Sequence, residues 1–273
     1  MIDLHTHILP ALDDGPASTD ASLEMARTAA AAGTRAMATT SHVAHVFSLD
    51  PEQIVHAREA LAARLAYEGI DLELLAGGEI AHDRLPELDD ESLRTLTLGG
   101  GSYLLLECPF TPIGDGLEPL VDDLHERGFD VLLAHPERSM SFQRDPGLLA
   151  SLVDQGALAQ VTVGSLTGHF GETAQRSASF QRDPELLAAL VDQGALAQVT
   201  VGSLTGHFGG IPQRTAEMMV REGLVQVLAT DAHDVAGRAP VLHVNGALTA
   251  DQYERMTSVI PQAIVASQPV RSS

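Results

Sequence analysis

Eight short apolar runs, leaning to β-branched residues, punctuate this chain, and six of them finish in side chains that can ligate a metal. The runs are Ile2–His7, Ala36–His42, Asp71–Ile80, Ser102–Cys108, Asp130–Pro136, Leu158–Gly164, Leu196–Gly202 and Val225–His233. Longer Ala/Leu-rich segments lie between them. Ser22–Ala32 stops at Gly33, Pro51–Tyr67 starts behind Asp50 with proline at its first position, Gly116–Arg127 stops at Gly128, and Thr215–Arg221 ends near Gly223. These are helix start and stop signals. Strand–helix–strand alternation needs crossover connections and so implies a parallel sheet in an α/β fold. An open sheet gathers its site at one switch point, whereas a (β/α) barrel collects side chains from the carboxyl ends of many strands. Ligands at His5/His7, His42, Glu79, Glu107, His135 and Asp231/His233 favour the barrel. The expected fold is therefore a TIM-like (β/α) barrel, one domain over residues 1–273.

A tandem repeat complicates that expectation. Residues 141–178 and 179–216 are 38 residues each and match at 32 positions. Each copy reads as one helix (Pro146–Asp154 in the first), one strand, and the loop Gly-Ser-Leu-Thr-Gly-His-Phe-Gly. Two copies are too few for a solenoid, so the unit is one helix–strand module. The extra copy could be inserted as another strand, extruded, or exchanged between chains. Extrusion exposes Leu and Val side chains at about 1.5–3 kcal/mol each, while the added loop entropy is small, so insertion is expected. Insertion also predicts that Asp231 and His233, which follow the repeat, move relative to the ligands of the second, third and fourth strands.

Composition excludes several classes. With 44% hydrophobic and 19% charged residues in a chain of 273, a large core is affordable and wholesale disorder is not expected. All 16 basic residues are arginine, so no lysine serves a phosphate loop, a Schiff base or a carbamate metal bridge. A net charge of −21 argues against a nucleic-acid surface. The single cysteine, Cys108, excludes an internal disulfide framework, and the residue six positions after it is Gly114 rather than the arginine of a thiol phosphatase. No basic-then-apolar leader and no membrane-length apolar run is seen, so a soluble cytoplasmic protein without membrane insertion is expected.

His5-Thr6-His7 places two imidazoles on one side of a strand, and Asp231-Ala232-His233 repeats the spacing. Glu107 interrupts the apolar run Leu104-Leu105-Leu106, and a buried carboxylate needs a partner such as a cation. Five histidines and four carboxylates in this order suit zinc, manganese or iron, and carboxylate bridges suit several ions at once.

These residues resemble the polymerase and histidinol phosphatase (PHP) superfamily, and within it the manganese-dependent protein tyrosine phosphatases of bacterial capsule and exopolysaccharide systems. The matching segments are Met1–Gly15, Thr40–His42, Gly78–Glu79, Leu105–Phe110, His135–Arg138, the repeated Gly-Ser-Leu-Thr-Gly-His-Phe-Gly loop and Thr230–Arg238. The resemblance implies a distorted seven-stranded barrel, with eight strands if the duplicated module is inserted, and up to three ions, Mn2+ first, with zinc and iron as the alternatives. One ion would sit on His5, His7 and Asp231. Glu79 would bridge to a second held by Glu107 and His135, and Asp14, His42 and His233 would hold a third. Arg138 and Arg238 match the family's phosphate-binding arginines. The implied chemistry is in-line attack of a metal-bridging hydroxide on phosphotyrosine, with arginine forks on the phosphoryl oxygens. The implied substrate is the tail of a tyrosine autokinase. A histidinol-phosphatase-like small-molecule phosphatase is the alternative enzyme, a metal-dependent hydrolase of amidohydrolase or deoxyribonuclease type fits less well, and a metal-binding but inactive scaffold is the alternative outside enzymes. The sequence leaves the oligomeric state open, an oligomer included.

Overall fold

A computed structural model describes residues 1–107, 116–134, 152, 157–162, 197–200, 227–242, 248–268 and 270. Cys108, His135, Arg138, the helix read at Thr215–Arg221, all of the helix read at Pro146–Asp154 except Leu152, and both repeated loops lie outside the described residues. The chain alternates strand and helix as expected. Strands are β1 (Ile2–Thr6), β2 (Ala36–Thr39), β3 (His42–Val43), β4 (Glu73–Leu75), β5 (Glu79–Ala81), β6 (Tyr103–Glu107), β7 (Asp130–Ala134), β8 (Leu158–Thr162), β9 (Ala197–Thr200) and β10 (Val227–Ala229). Helices α1 (Thr19–Ala31), α2 (Pro51–Tyr67), α3 (Asp90–Leu96) and α4 (Leu117–Glu126) lie between them.

Local signals explain these elements. Ser18 caps α1 by accepting the Ala21 N–H, and α1 buries Leu23, Met25, Ala26 and Ala29 on one side. Before α2, Gln53 Oε1 accepts the Asp50 N–H at 2.9 Å, half of a capping box. In β6, Leu104, Leu105 and Leu106 are all fully buried, which is the signature of a parallel strand covered on both faces. Leu104 and Leu106 join one apolar cluster with Val131 and Leu133, while Leu105 joins a second with Leu4, Leu132 and Ile264.

All pairing between the described strands is parallel. One sheet runs β1-β2-β4 and the other β10-β9-β8-β7-β6-β5-β3. The strands of the two repeat copies, β8 and β9, lie side by side, with Val161 against Ala197 and Thr162 against Gln198. The sheets meet where Thr6 bridges Ala232 in parallel.

Two details differ from the sequence reading. The runs 36–42 and 71–80 each break into two strands. At the first break Thr40 adds its side chain to the backbone bond: its Oγ1 accepts the Thr6 N–H at 2.9 Å and donates to the Thr6 carbonyl at 3.1 Å, and the same carbonyl accepts the Thr40 N–H at 3.0 Å. At the second, a Cβ on Gly78 would lie 2.7 Å from the end of the Leu96 side chain, so a larger residue there would make that side chain shift where the strand passes α3. The helical turns of 82–100 and the helical segment Ala250–Val265 had no counterpart in the sequence reading. No helix among the described residues is long and apolar enough to cross a membrane.

Candidate metal centre

The fold delivers donors from six chain segments to one place. His5 and His7 come from the end of β1, Asp13 and Asp14 from the turn behind it, His42 from β3, Glu79 from β5, Glu107 from β6, and Asp231 and His233 from the segment after β10. Gly15 lets the Asp13–Asp14 turn close, because a Cβ there would collide with the His7 carbonyl.

Three groups of donor atoms lie within 4.8 Å of one another: His5, His7 and Asp231; His42, Glu79 and Glu107; and His7, Asp14, His42 and His233. In the first, His5 Nε2 and His7 Nε2 are 3.4 Å apart, and Asp231 Oδ1 is 3.5 and 3.6 Å from them. An ion about 2.1 Å from tetrahedral donors requires them to be about 3.4 Å apart. Glu79 Oε2 is 3.4 Å from both of these nitrogens and 3.2 Å from His42 Nδ1, so it faces the first and second groups together. Glu107 Oε2 is 3.6 Å from His42 Nδ1. In the third group Asp14 Oδ1 is 3.1 Å from His233 Nε2 and 3.7 Å from His42 Nε2. Such a donor set fits divalent cations.

Outer partners orient the imidazoles. His7 Nδ1 donates to Asp13 Oδ2 at 2.9 Å, and His233 Nδ1 donates to the Asp231 carbonyl at 2.9 Å. Both bonds leave Nε2 turned to the centre, as a metal-ligating histidine requires. Asp13 also accepts the N–H groups of Gly15 and His42 at 3.0 Å each. The ring of Phe47 stacks on His42 at 5.4 Å. Asp13 and Phe47 were not read as site residues. The Asp-Asp-Gly turn was the signal for Asp13, while nothing in the sequence marks Phe47.

Electrostatics follow from burial and these partners. Burial would lower His7, but hydrogen bonds to Asp13 and Glu79 hold it up at about 9. Burial likewise opposes His42, and the carboxylates of Glu79 and Glu107 raise it to about 9. Burial would raise Asp231, yet the charges of His5, His233, His7 and Arg238 keep it at about 2. Asp14 is held well below the carboxylate range by its hydrogen bond with His233. His233 is lowered by burial against the pull of Asp14. Asp3 is pushed up to about 6 by burial, although its bonds from Thr230 and His5 work the other way.

Of the residues singled out in the sequence, His5, His7, Asp14, His42, Glu79, Glu107, Asp231 and His233 come together here. Arg238 stands at the rim, its Nη1 3.4 Å from Asp231 Oδ2 and its Nη2 3.7 Å from Asp14 Oδ2. The expected displacement from the second strand is not what the structure has for His233, which groups with Asp14 and His42, while Asp231 groups with His5 and His7 on the first strand. The physical reason is that their segment is hydrogen-bonded directly to β1. Asp231 N–H donates to the His5 carbonyl and His7 N–H to the Ala232 carbonyl, each at 2.9 Å.

Comparison with known proteins places this geometry. The capsular polysaccharide synthesis family CpsB/CapC matches residues 1–180 and 174–264, two stretches that overlap at the junction of the repeat copies. The tyrosine-protein phosphatase YwqE of Bacillus subtilis is 40% identical over 173 residues, 63% of this chain and 68% of YwqE. Among solved structures, one described as YwqE from Bacillus subtilis and CpsB from Streptococcus pneumoniae, unique metal-dependent tyrosine phosphatases, superposes with a TM-score of 0.67. It covers 99% of this chain and 96% of its own at 28% identity. The lactonase Lmo2620 of Listeria monocytogenes, 12% identical with a TM-score of 0.51 over 97% of this chain and 86% of its own, shares the fold alone.

Proposed function

The chain belongs to the CpsB/CapC family of capsular polysaccharide synthesis, and from that premise we propose that it is a metal-dependent protein-tyrosine phosphatase. The observation that carries this is the convergence of three His/carboxylate groups on one centre with an arginine at its rim. Bound divalent ions supply electrophilic activation of the phosphoryl group and acidify water near neutral pH. His5, His7 and Asp231 would hold one ion, Glu79, Glu107 and His135 a second, and Asp14, His42 and His233 a third. Mn2+ is the ion assigned to these sites. Asp13 fixes the tautomer of His7. The guanidinium forks of Arg238 and Arg138 bind and orient the phosphoryl oxygens and neutralise charge as it builds there. A phenolate leaving group, with a pKa of about 10, needs little help from a general acid, so this centre suits phosphotyrosine better than an alkyl phosphate.

The framework assigned to this site is a single-domain TIM-like (β/α) barrel over residues 1–273. The Thr6–Ala232 bridge supports it, as does the succession of β2 by β3 and of β4 by β5 from one sheet to the other. With β8 and β9 both taking part, the ring has eight strand positions where the family pattern has seven. The substrate assigned is a phosphotyrosine tail of a bacterial tyrosine autokinase, in the cytoplasm.

The test compares hydrolysis of a phosphotyrosine peptide and of histidinol phosphate, with and without Mn2+. Mn2+-dependent turnover that is faster on the peptide is expected. Faster turnover of histidinol phosphate would make the protein a small-molecule phosphatase, and metal uptake with no turnover of either would make it a scaffold.

The pH dependence has a definite sign. His7 and His42 hold protons up to about pH 9 when no metal is present. Their raised pKa values stabilise the metal-free fold below the unfolded value of about 6.5, and that stability is lost as pH rises towards about 9. Metal must displace those protons. Mn2+ affinity is therefore expected to rise between pH 7 and 9 while the metal-free melting temperature falls. Calorimetry in two buffers of different ionisation enthalpy measures the protons released, and release of none at pH 7 would contradict the assignment.

A further inference from the structure

Asp3 is a buried carboxylate with no part in the ligand groups. It is 1% exposed, and among the described residues its hydrogen-bond partners lie on β1 or just after β10. Its Oδ2 accepts the Thr230 hydroxyl at 2.6 Å, and its Oδ1 accepts the Thr230 N–H at 3.1 Å and the His5 N–H at 3.4 Å. A carboxylate this deeply buried is costly without such bonds. The residue after Thr230 is Asp231, whose φ of +50° lies in the left-handed region that a non-glycine residue rarely occupies. That conformation persists only where neighbours over-determine it, and here the Asp231 N–H is held by the His5 carbonyl at 2.9 Å. The strained residue thus sits between two ties to β1, one through Thr230 and one through its own backbone.

We propose that Asp3 and Thr230 form a positioning clasp that sets Asp231 against His5 and His7, so that the ligands after β10 are registered on β1 and not through the strands between β7 and β10. This rests on the reading of His5, His7 and Asp231 as metal ligands. It explains how a chain with two copies of one helix–strand module keeps its last ligands beside its first: the clasp measures position from the strand next door, whatever the number of strands on the other side. Asp3 and Thr230 are positioning residues and touch no reacting atom.

The test is calorimetric titration of the metal-stripped full chain with Mn2+, together with thermal melting, for the unaltered protein, Asp3→Asn, Thr230→Val and Thr230→Ser. Thr230→Val keeps size and shape but leaves Asp3 without its hydroxyl donor. It is expected to weaken Mn2+ binding about 10- to 100-fold, the usual cost of losing an outer partner, while Thr230→Ser stays within about 3-fold of the unaltered chain. Asp3→Asn should follow Thr230→Val, and if Asp3→Asn does not fold, the valine and serine pair decides alone. Mn2+ binding by Thr230→Val equal to that of the unaltered chain, with only a lower melting temperature, would overturn the proposal, because the contact would then serve stability alone. If the unaltered chain takes up no Mn2+, the metal reading falls first and the clasp with it, a result distinct from unaltered binding in the variant.

Discussion

Glu79→Gln is expected to lower kcat/KM for a phosphotyrosine peptide by at least about 100-fold, the upper end of what losing an outer ligand partner costs, because Glu79 is itself a shared ligand. Its Oε2 lies 3.4 Å from His5 Nε2, 3.4 Å from His7 Nε2 and 3.2 Å from His42 Nδ1, and the residue is 1% exposed. Glutamine fills the same space, so the core around it is not disturbed. It removes the negative charge between two ligand groups, and its amide places N–H donors where an anionic oxygen stood. Two readouts separate this from a general loss of stability. Metal content by elemental analysis should fall by at least one equivalent. The metal-free variant should also lose part of the upward shift of His7 and His42, since Glu79 is a cause of both, and imidazole titration by NMR reads that directly. An unchanged metal content with unchanged kcat/KM would remove Glu79 from the centre.

Metal removal is expected to abolish turnover and to lower the melting temperature together. An ion present at 100 times its dissociation constant adds about 2.7 kcal/mol of stability per site, which for a chain of this size corresponds to about 5–10 °C. The cause is the charge left behind. Glu79 and Asp231 are buried carboxylates facing histidines, and without cations the cluster must be neutralised by protons on those imidazoles, as the raised values of His7 and His42 show. Chelation followed by dialysis, a melting curve, and re-addition of Mn2+ test both effects in one preparation. Recovery of activity and melting temperature at the same Mn2+ concentration is the expected outcome. A melting temperature indifferent to chelation would mean that these side chains hold no ion under the conditions used.

Much of the site was legible before any coordinates. The His-Thr-His and Asp-Ala-His spacings put paired donors on one side of an extended chain whatever the fold around them, and Glu107 announces itself by interrupting a leucine run. Position at strand ends then did the rest, because parallel strands with crossover helices bring their carboxyl ends to one face. α2 was equally readable, since Asp50 and Pro51 mark its start. Residues that act through a ligand were less visible. Asp13 looks like any Asp-Gly turn until His7 Nδ1 is seen donating to it. Asp3 is one polar residue in a strand, and its partner Thr230 is 227 positions away. Phe47 has no spacing that ties it to His42, because the loop between them is set by backbone turns.

The repeat shows most clearly where sequence ends and tertiary structure begins. From the residues alone, a second copy of a helix–strand module could be inserted, extruded or exchanged, and an inserted strand would be expected to move Asp231 and His233 relative to the ligands of the second, third and fourth strands. Residue identity and local spacing determine which side chains can bind a cation and which segments become strands, because those depend on donor chemistry and backbone periodicity over a few residues. Which donors meet depends on contacts between strands far apart in the chain. Asp231 is tied to β1 by the hydrogen bonds that Thr230 donates to Asp3 and that its own N–H donates to the His5 carbonyl, bonds whose directionality and short range no one-dimensional pattern carries.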